Sequence, residues 1–208
     1  MPKGYWIPHI DVKNPEGYKG YMAATPDAHR KYSGVALVRG GTSQVLEGKA
    51  RSRNVLRQFN SYEDALACYR SPEYQRAKPL RLPNADSDFV IVEGYDGPQP
   101  EPIGTPPAAS AKKGYWIGHV DVTNPDAYKP YTVANAVPFG KFGARFLVRG
   151  GRYEVTEGHA RARTVVMEFP SYEAALACYR SPDYQAAKAL RQGKADADIV
   201  VVEAFGGN

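Results

Sequence analysis

Four short runs in the second half of the chain alternate side chains between two faces, as strands do. They are YWIGHVDV from Tyr115, ARFLVRGG from Ala144, TVVMEF from Thr164 and ADIVVVEAF from Ala197. Between the first two lies DAYKPYTVANAVPFGKF, a helical pattern that Pro130 and Pro138 predict to be kinked or broken. SYEAALACYRSPDYQAAKALR, from Ser171, predicts a helix that restarts at Ser181-Pro182, where Ser caps and Pro suits the first turn. The stretch YEVTEGHARA, from Tyr153, reads as a connection between the second and third strands. The order βαββαβ is that of a ferredoxin-like plait.

The first half of the chain repeats this pattern. An offset of 110 residues maps Lys3–Gly97 onto the second half without a gap, and roughly half of the paired positions are identical. The predicted organisation is therefore a first domain over 1–97, a Pro/Ala-rich linker over 98–112 and a second domain over 113–208.

Most strands have one wholly apolar face and one apolar face interrupted by a polar group. In the first strand of the second copy, Trp116, Gly118, Val120 and Val122 oppose Tyr115, Ile117, His119 and Asp121. The first face must cover the helices. The second would leave Ile199, Val201 and Phe205 in water, too large a patch for a lone plait. The expected fold is therefore α+β: two tandem plaits packed sheet to sheet, an intramolecular pseudo-dimer in which each sheet lids its twin, with further homo-oligomerisation left open.

That arrangement directs attention to polar groups on the half-apolar face. Alternation places Arg149 there, opposite Phe146 and Val148. The candidate set is His119, Glu168, Glu203 and Arg149, with His9, Glu93 and Arg39 as its first-copy equivalents. Buried charges require partners or shifted pKa values, which marks functional sites. In acid–base chemistry, His119 would move a proton, Glu168 or Glu203 would orient it, and Arg149 would hold a carboxylate or enolate oxygen. Gln58 replaces Glu168 and Arg57 replaces Met167 in the first copy, so the better site is expected in the second. The bland alternative is that all these groups satisfy one another in a non-catalytic structural or stress-related module.

Composition and charge narrow the classes. The net charge is +5, yet 27 basic and 22 acidic residues are interleaved, which argues against nucleic-acid binding. No apolar run approaches a membrane span, and MPKGYWIPHIDV lacks a signal-peptide core, so a cytoplasmic protein without a membrane role is expected. Cys68 and Cys178 occupy one repeated helix position and read as packing residues. The RxR pairs, Arg51 with Arg53 and Arg161 with Arg163, read as a solvated loop face or an anion gate. Tyr18 with Tyr21, and Tyr128 with Tyr131, read as packing at helical spacing. No metal constellation and no cofactor motif is present, so neither is expected.

GYWI-x-HVDVTNPDAY, FLVRGG, EFPSYEAALACYRSPDYQAAKALR and ADIVVVEAF together resemble the DUF1330 family, over almost all of both copies. The resemblance implies the dimeric α/β-barrel fold. Its wider members include cofactor-free monooxygenases, muconolactone isomerase-like enzymes and haem proteins; a haem would take His119 or His9 as axial ligand. The family name carries no activity. The expectation is a small organic ligand held between sheet and helices or between sheets.

Overall fold

The computed structural model describes residues 1–206; Gly207 and Asn208, the end of the second predicted domain, lie outside the described residues. Ten strands and eight helices alternate along the described chain. The first repeat runs β1 (Gly4–Val12), α1 (Pro15–Ala24), α2 (Pro26–Lys31), β2 (Val35–Arg39), β3 (Ser43–Glu47), β4 (Arg53–Phe59), α3 (Tyr62–Arg70), α4 (Pro72–Arg81) and β5 (Ala85–Glu93). The second repeats this as β6 (Gly114–Val122), α5 (Pro125–Ala134), α6 (Ala136–Lys141), β7 (Arg145–Arg149), β8 (Tyr153–Glu157), β9 (Arg163–Phe169), α7 (Tyr172–Arg180), α8 (Pro182–Arg191) and β10 (Ala195–Glu203).

The helix breaks fall where side-chain chemistry puts them. Ser71 and Ser181 accept the backbone N–H of Tyr74 and Tyr184 at 3.2 Å, capping α4 and α8, and proline follows at the first helical position. Asn14 and Asn124 cap α1 and α5 in the same way. The helix expected to break at its prolines is two helices, α5 and α6, parted at Asn135, whose side chain makes no cap bond, while Pro130 and Pro138 lie within α5 and α6.

Two compact units result, each an α+β plait with a five-stranded antiparallel sheet. In one, the strand order is β2-β4-β1-β5-β8; in the other it is β3-β10-β6-β9-β7. The edge strands β3 and β8 are exchanged. The first unit takes Gly151–Ala160 from the second repeat, and the second unit takes Gly41–Ala50 from the first. The stretch read from sequence as a connection is thus a fifth strand. Its residues alternate as strand residues should, but Tyr153 and Val155 are exposed, because an edge strand covers little core. The glycine pair before each exchanged strand is a real turn: Gly40 and Gly41 have φ of +76° and +110°, which L side chains rarely adopt.

In the first unit, Trp6 packs among Phe59, Tyr69, Tyr74 and Phe89 on the helix-bearing face, and its indole N–H donates to Ala65 O at 2.8 Å. The other face of β1, with Tyr5 and Ile7, is buried as well. Residues 94–113 form no helix or strand. Part of this segment is held on the second unit: Gln99 bonds both backbone groups of Phe146 in β7, and Ile103 N donates to Gly140 O at 3.3 Å.

Candidate functional site

Each unit holds a small cavity between its sheet and its first two helices. The cavity of the first unit measures about 60 Å³ and that of the second about 50 Å³. All thirteen residues lining the first have their counterpart, 110 positions on, lining the second; only Phe146 is added there. Trp6 and Trp116 form the floors. Tyr18 and Tyr21, matched by Tyr128 and Tyr131, form the helix side. The i, i+3 tyrosine pairs therefore pack, as the spacing suggested, and also wall a cavity.

The polar groups of the two cavities differ. The first contains His29, Arg39, Arg53 and Arg57, while the second contains Arg149 and Arg163, with Phe139 and Met167 in place of His29 and Arg57. No Asp or Glu lines either one. Burial, reinforced by the charges of Arg57 and Arg39, lowers the His29 pKa from 6.5 to about 3, so its ring is neutral at ordinary pH. Burial and the charge of Arg39 lower the Arg57 pKa to about 10. Arg57 Nη1 donates to Gly34 O at 2.7 Å. The Arg53 guanidinium lies 6.0 Å from the Tyr18 ring centre, and its Nε is buried without a hydrogen-bond partner. In the second cavity, Arg149 stacks 4.6 Å from the Phe146 ring centre.

The set picked from sequence is not brought together. A register irregularity in β7, between Phe146 and Val148, reverses the alternation, so Arg149 joins Phe146 on the helix side. The same irregularity between Ala36 and Val38 carries Arg39 into the first cavity. His119 stays on the opposite face, buried, with Nδ1 3.1 Å from Thr164 Oγ1. His9 is its equivalent, with Nδ1 2.6 Å from Asn54 Oδ1. Glu168 pairs with Tyr115, four residues along β6 from His119, and Glu203 pairs with Gly114, five residues along. Those offsets are about 13 and 17 Å, too far for either carboxylate to orient the ring.

Glu168 accepts from Lys113 Nζ at 2.7 Å and from the Tyr115 hydroxyl at 3.2 Å. Gln58 accepts the equivalent Tyr5 hydroxyl at 3.1 Å, so the first copy has not lost the contact. Glu203 accepts from Lys112 at 3.0 Å, and Glu93 from Arg152 at 2.7 Å. The expectation of a better second site rested on Glu168 and on Met167 in place of Arg57; Glu168 lies away from the cavity, and Met167 lines it. Sequence reasoning singled out Arg57 only as a departure from the second copy. Its alternation with Val55 and Phe59 on the apolar face of β4 was the available signal; His29 lies on α2, where strand alternation does not reach.

The RxR arginines split in the same way. Arg51 bridges Asp88 and Asp11 at 2.6 and 3.0 Å, and Arg161 bridges Asp198 and Asp121 at the same distances, so these two are structural. Their partners Arg53 and Arg163 turn into the cavities. Cys68 and Cys178 are free, buried thiols, and burial raises Cys68 to about 12, which leaves it unreactive. Among the described residues, no group of three or more His, Cys, Asp or Glu could hold a metal ion, and no helix is long and apolar enough to cross a membrane.

The family model described as "Domain of unknown function (DUF1330)" matches twice, at residues 3–95 and 113–205. No curated protein matches the chain. Among solved structures, an anthrone oxidase-like protein is 16% identical, with a TM-score of 0.52, covering 100% of this chain and 95% of that one. At that identity the likeness shows a shared fold, over the whole chain. A protein of unknown function from Rhodopseudomonas palustris is 19% identical with a TM-score of 0.37, covering 45% of this chain and 82% of that one. A haem-binding protein from Thermus thermophilus is 9% identical with a TM-score of 0.47, covering 98% of this chain and 91% of that one.

Proposed function

The chain belongs to the DUF1330 family in both of its repeats, and on that premise we propose that it binds small organic molecules in its two sheet–helix cavities. One observation carries the reading: the same thirteen positions line a cavity in each unit. A packing defect has no reason to recur at every equivalent residue, because cores close to near-crystalline density when nothing else is required of them. The walls also have the make-up of a ligand site, with aromatic and aliphatic surface around a few polar groups.

The residues divide the work. Trp116, Phe139 and Met167 offer apolar contact in the second cavity, and Arg149 and Arg163 offer donors at its edge. Cavities of this size take a small molecule, or the head of a longer one. A thermal-shift screen of small organic molecules tests the reading, since a ligand that prefers the folded state raises the melting temperature. Gly118 lines the second cavity, and a Cβ there meets nothing closer than 3.7 Å, so Gly118→Leu should fill the space without breaking the sheet. Val55→Phe should fill the first. Hits should lose their effect in one variant or the other. Hits that stabilise both variants as they do the parent protein would place binding elsewhere and end this reading.

A further inference from the structure

We propose that the first cavity is selective for an anion, taking the carboxylate head of a small organic acid on Arg57 and Arg53, while the second cavity takes neutral apolar groups. The inference rests on the cavity-binding reading above and names the ligand class for one of the two sites. Three observations support it.

The first is a charge imbalance. Arg57 and Arg53 reach one small space together with Arg39, three guanidinium groups against the two of the second cavity, and no Asp or Glu lines either space. Arg57 donates to a backbone carbonyl, Gly34 O, at 2.7 Å, and has burial and the charge of Arg39 against its own. Elsewhere in the same unit, half-buried or buried arginines do have acids: Arg51 has Asp88 and Asp11, and Arg81 has Glu157. A guanidinium drawn out of water with its like beside it is costly unless an anion arrives.

The second is an orphaned donor. Arg53 Nε is buried and makes no hydrogen bond among the described residues, as is also true of Arg81 Nε. Buried polar atoms are nearly always satisfied, so an unsatisfied donor on a side chain that lines the cavity leaves this guanidinium short of an acceptor. Two guanidinium groups converging on one space are suited to the two oxygens of a carboxylate.

The third is the internal control that duplication provides. At the positions of Arg57 and His29, the second copy has Met167 and Phe139, and its cavity is otherwise built from equivalent positions. Methionine and phenylalanine show that the fold requires no charge at either place. The volume sets the size of the head group. About 60 Å³ is well below the roughly 150 Å³ of a cavity that accepts a benzene ring, so the enclosed part is of acetate size. Any longer body would pass Met22, which lines this cavity and is exposed.

The protein contains two tryptophans, one on the floor of each cavity, so their two indole N–H signals report the sites separately. Acetate and acetamide have the same shape and differ in charge. In titrations followed by those signals, acetate should move the Trp6 signal saturably, with an affinity about tenfold or more above that of acetamide. The Trp116 signal should show no preference for the anion. R57M should abolish the preference at Trp6, and R57K should retain much of it; an amide spectrum otherwise like that of the parent shows that each variant folds. Equal affinities for acetate and acetamide at Trp6 would overturn the anion assignment and leave the cavity reading standing. An anion preference at both tryptophans would overturn the division of labour. A Trp6 signal unmoved by either compound, in a protein for which the thermal-shift screen yields cavity ligands, would also overturn the assignment.

Discussion

His29 shows how one residue fixes the behaviour of a site. Its ring lies 5.6 Å from that of Trp6, edge-on, and lines the same cavity as Arg57 and Arg39. Burial and those charges depress its folded-state pKa from 6.5 to about 3. Between those values the unfolded chain takes up a proton at this position and the folded chain does not. Stability from this residue is therefore present above pH 6.5 and is lost as pH falls toward 3. His29→Phe, the choice the second copy made, removes that difference. The urea midpoint of the variant should vary less between about pH 6.5 and 4.5 than that of the parent. Parallel curves for the two proteins would show that His29 does not titrate as its surroundings dictate. A carboxylate bound on Arg57 would sit near this ring and lessen the repulsion on its protonated form, so a ligand would shift the same curve.

At the scale of elements, the exchanged strands do more than extend the sheets. Each ends in a glutamate that meets a buried arginine of the other repeat: Glu157 of β8 meets Arg81 at 2.6 Å, and Glu47 of β3 meets Arg191. Arg81 is 1% exposed at its side chain and Glu157 10%, so this is an interior ion pair. Burial alone would raise the Glu157 pKa, but the hydrogen bonds and charges of Arg81, Tyr69 and Lys78 prevail and hold it below its ordinary value. Removing one member of such a pair leaves a buried charge unmatched. Glu157→Gln should cost about 3–5 kcal/mol in urea denaturation. Glu154→Gln, three residues earlier in β8 and paired with Arg70 at the surface, should cost less than about 1 kcal/mol. Equal costs would mean that β8 is held by its ladder and not by its glutamate. The four strands with continuous apolar faces, the helices, the Ser181 cap and the duplication were all legible in the sequence. The fifth strand was not, because YEVTE is short and its one apolar face, Tyr153 and Val155, is broken by Glu157. Nor was the cavity set: alternation is a sound guide only while the register holds, and the irregularities at Ala36/Val38 and Phe146/Val148 turned Arg39 and Arg149 to the other side.

On the scale of the whole molecule, the boundary between repeats is not the boundary between compact units. Cutting the chain within residues 98–112 leaves two fragments, each still supplying an edge strand and a glutamate to the sheet that the other mostly builds. The fragments should co-elute in size-exclusion chromatography at the size of the intact protein. Fragments that separate as soluble monomers would show that the exchange adds little to the hold between them. A repeat expressed alone should be poorly soluble, since its sheet ends on β5 or β10 with an uncovered edge and its Arg81 or Arg191 without an acid. The exchange also bears on how such a chain can change over generations. Two fused copies of a gene are ordinarily free to part again, or to decay one at a time. Here a substitution at position 47 is felt at position 191, and one at 157 is felt at 81, so each half is the other's inheritance. Neither copy can be shed, and the room left for novelty is at places such as 29 and 57, where the two halves already differ.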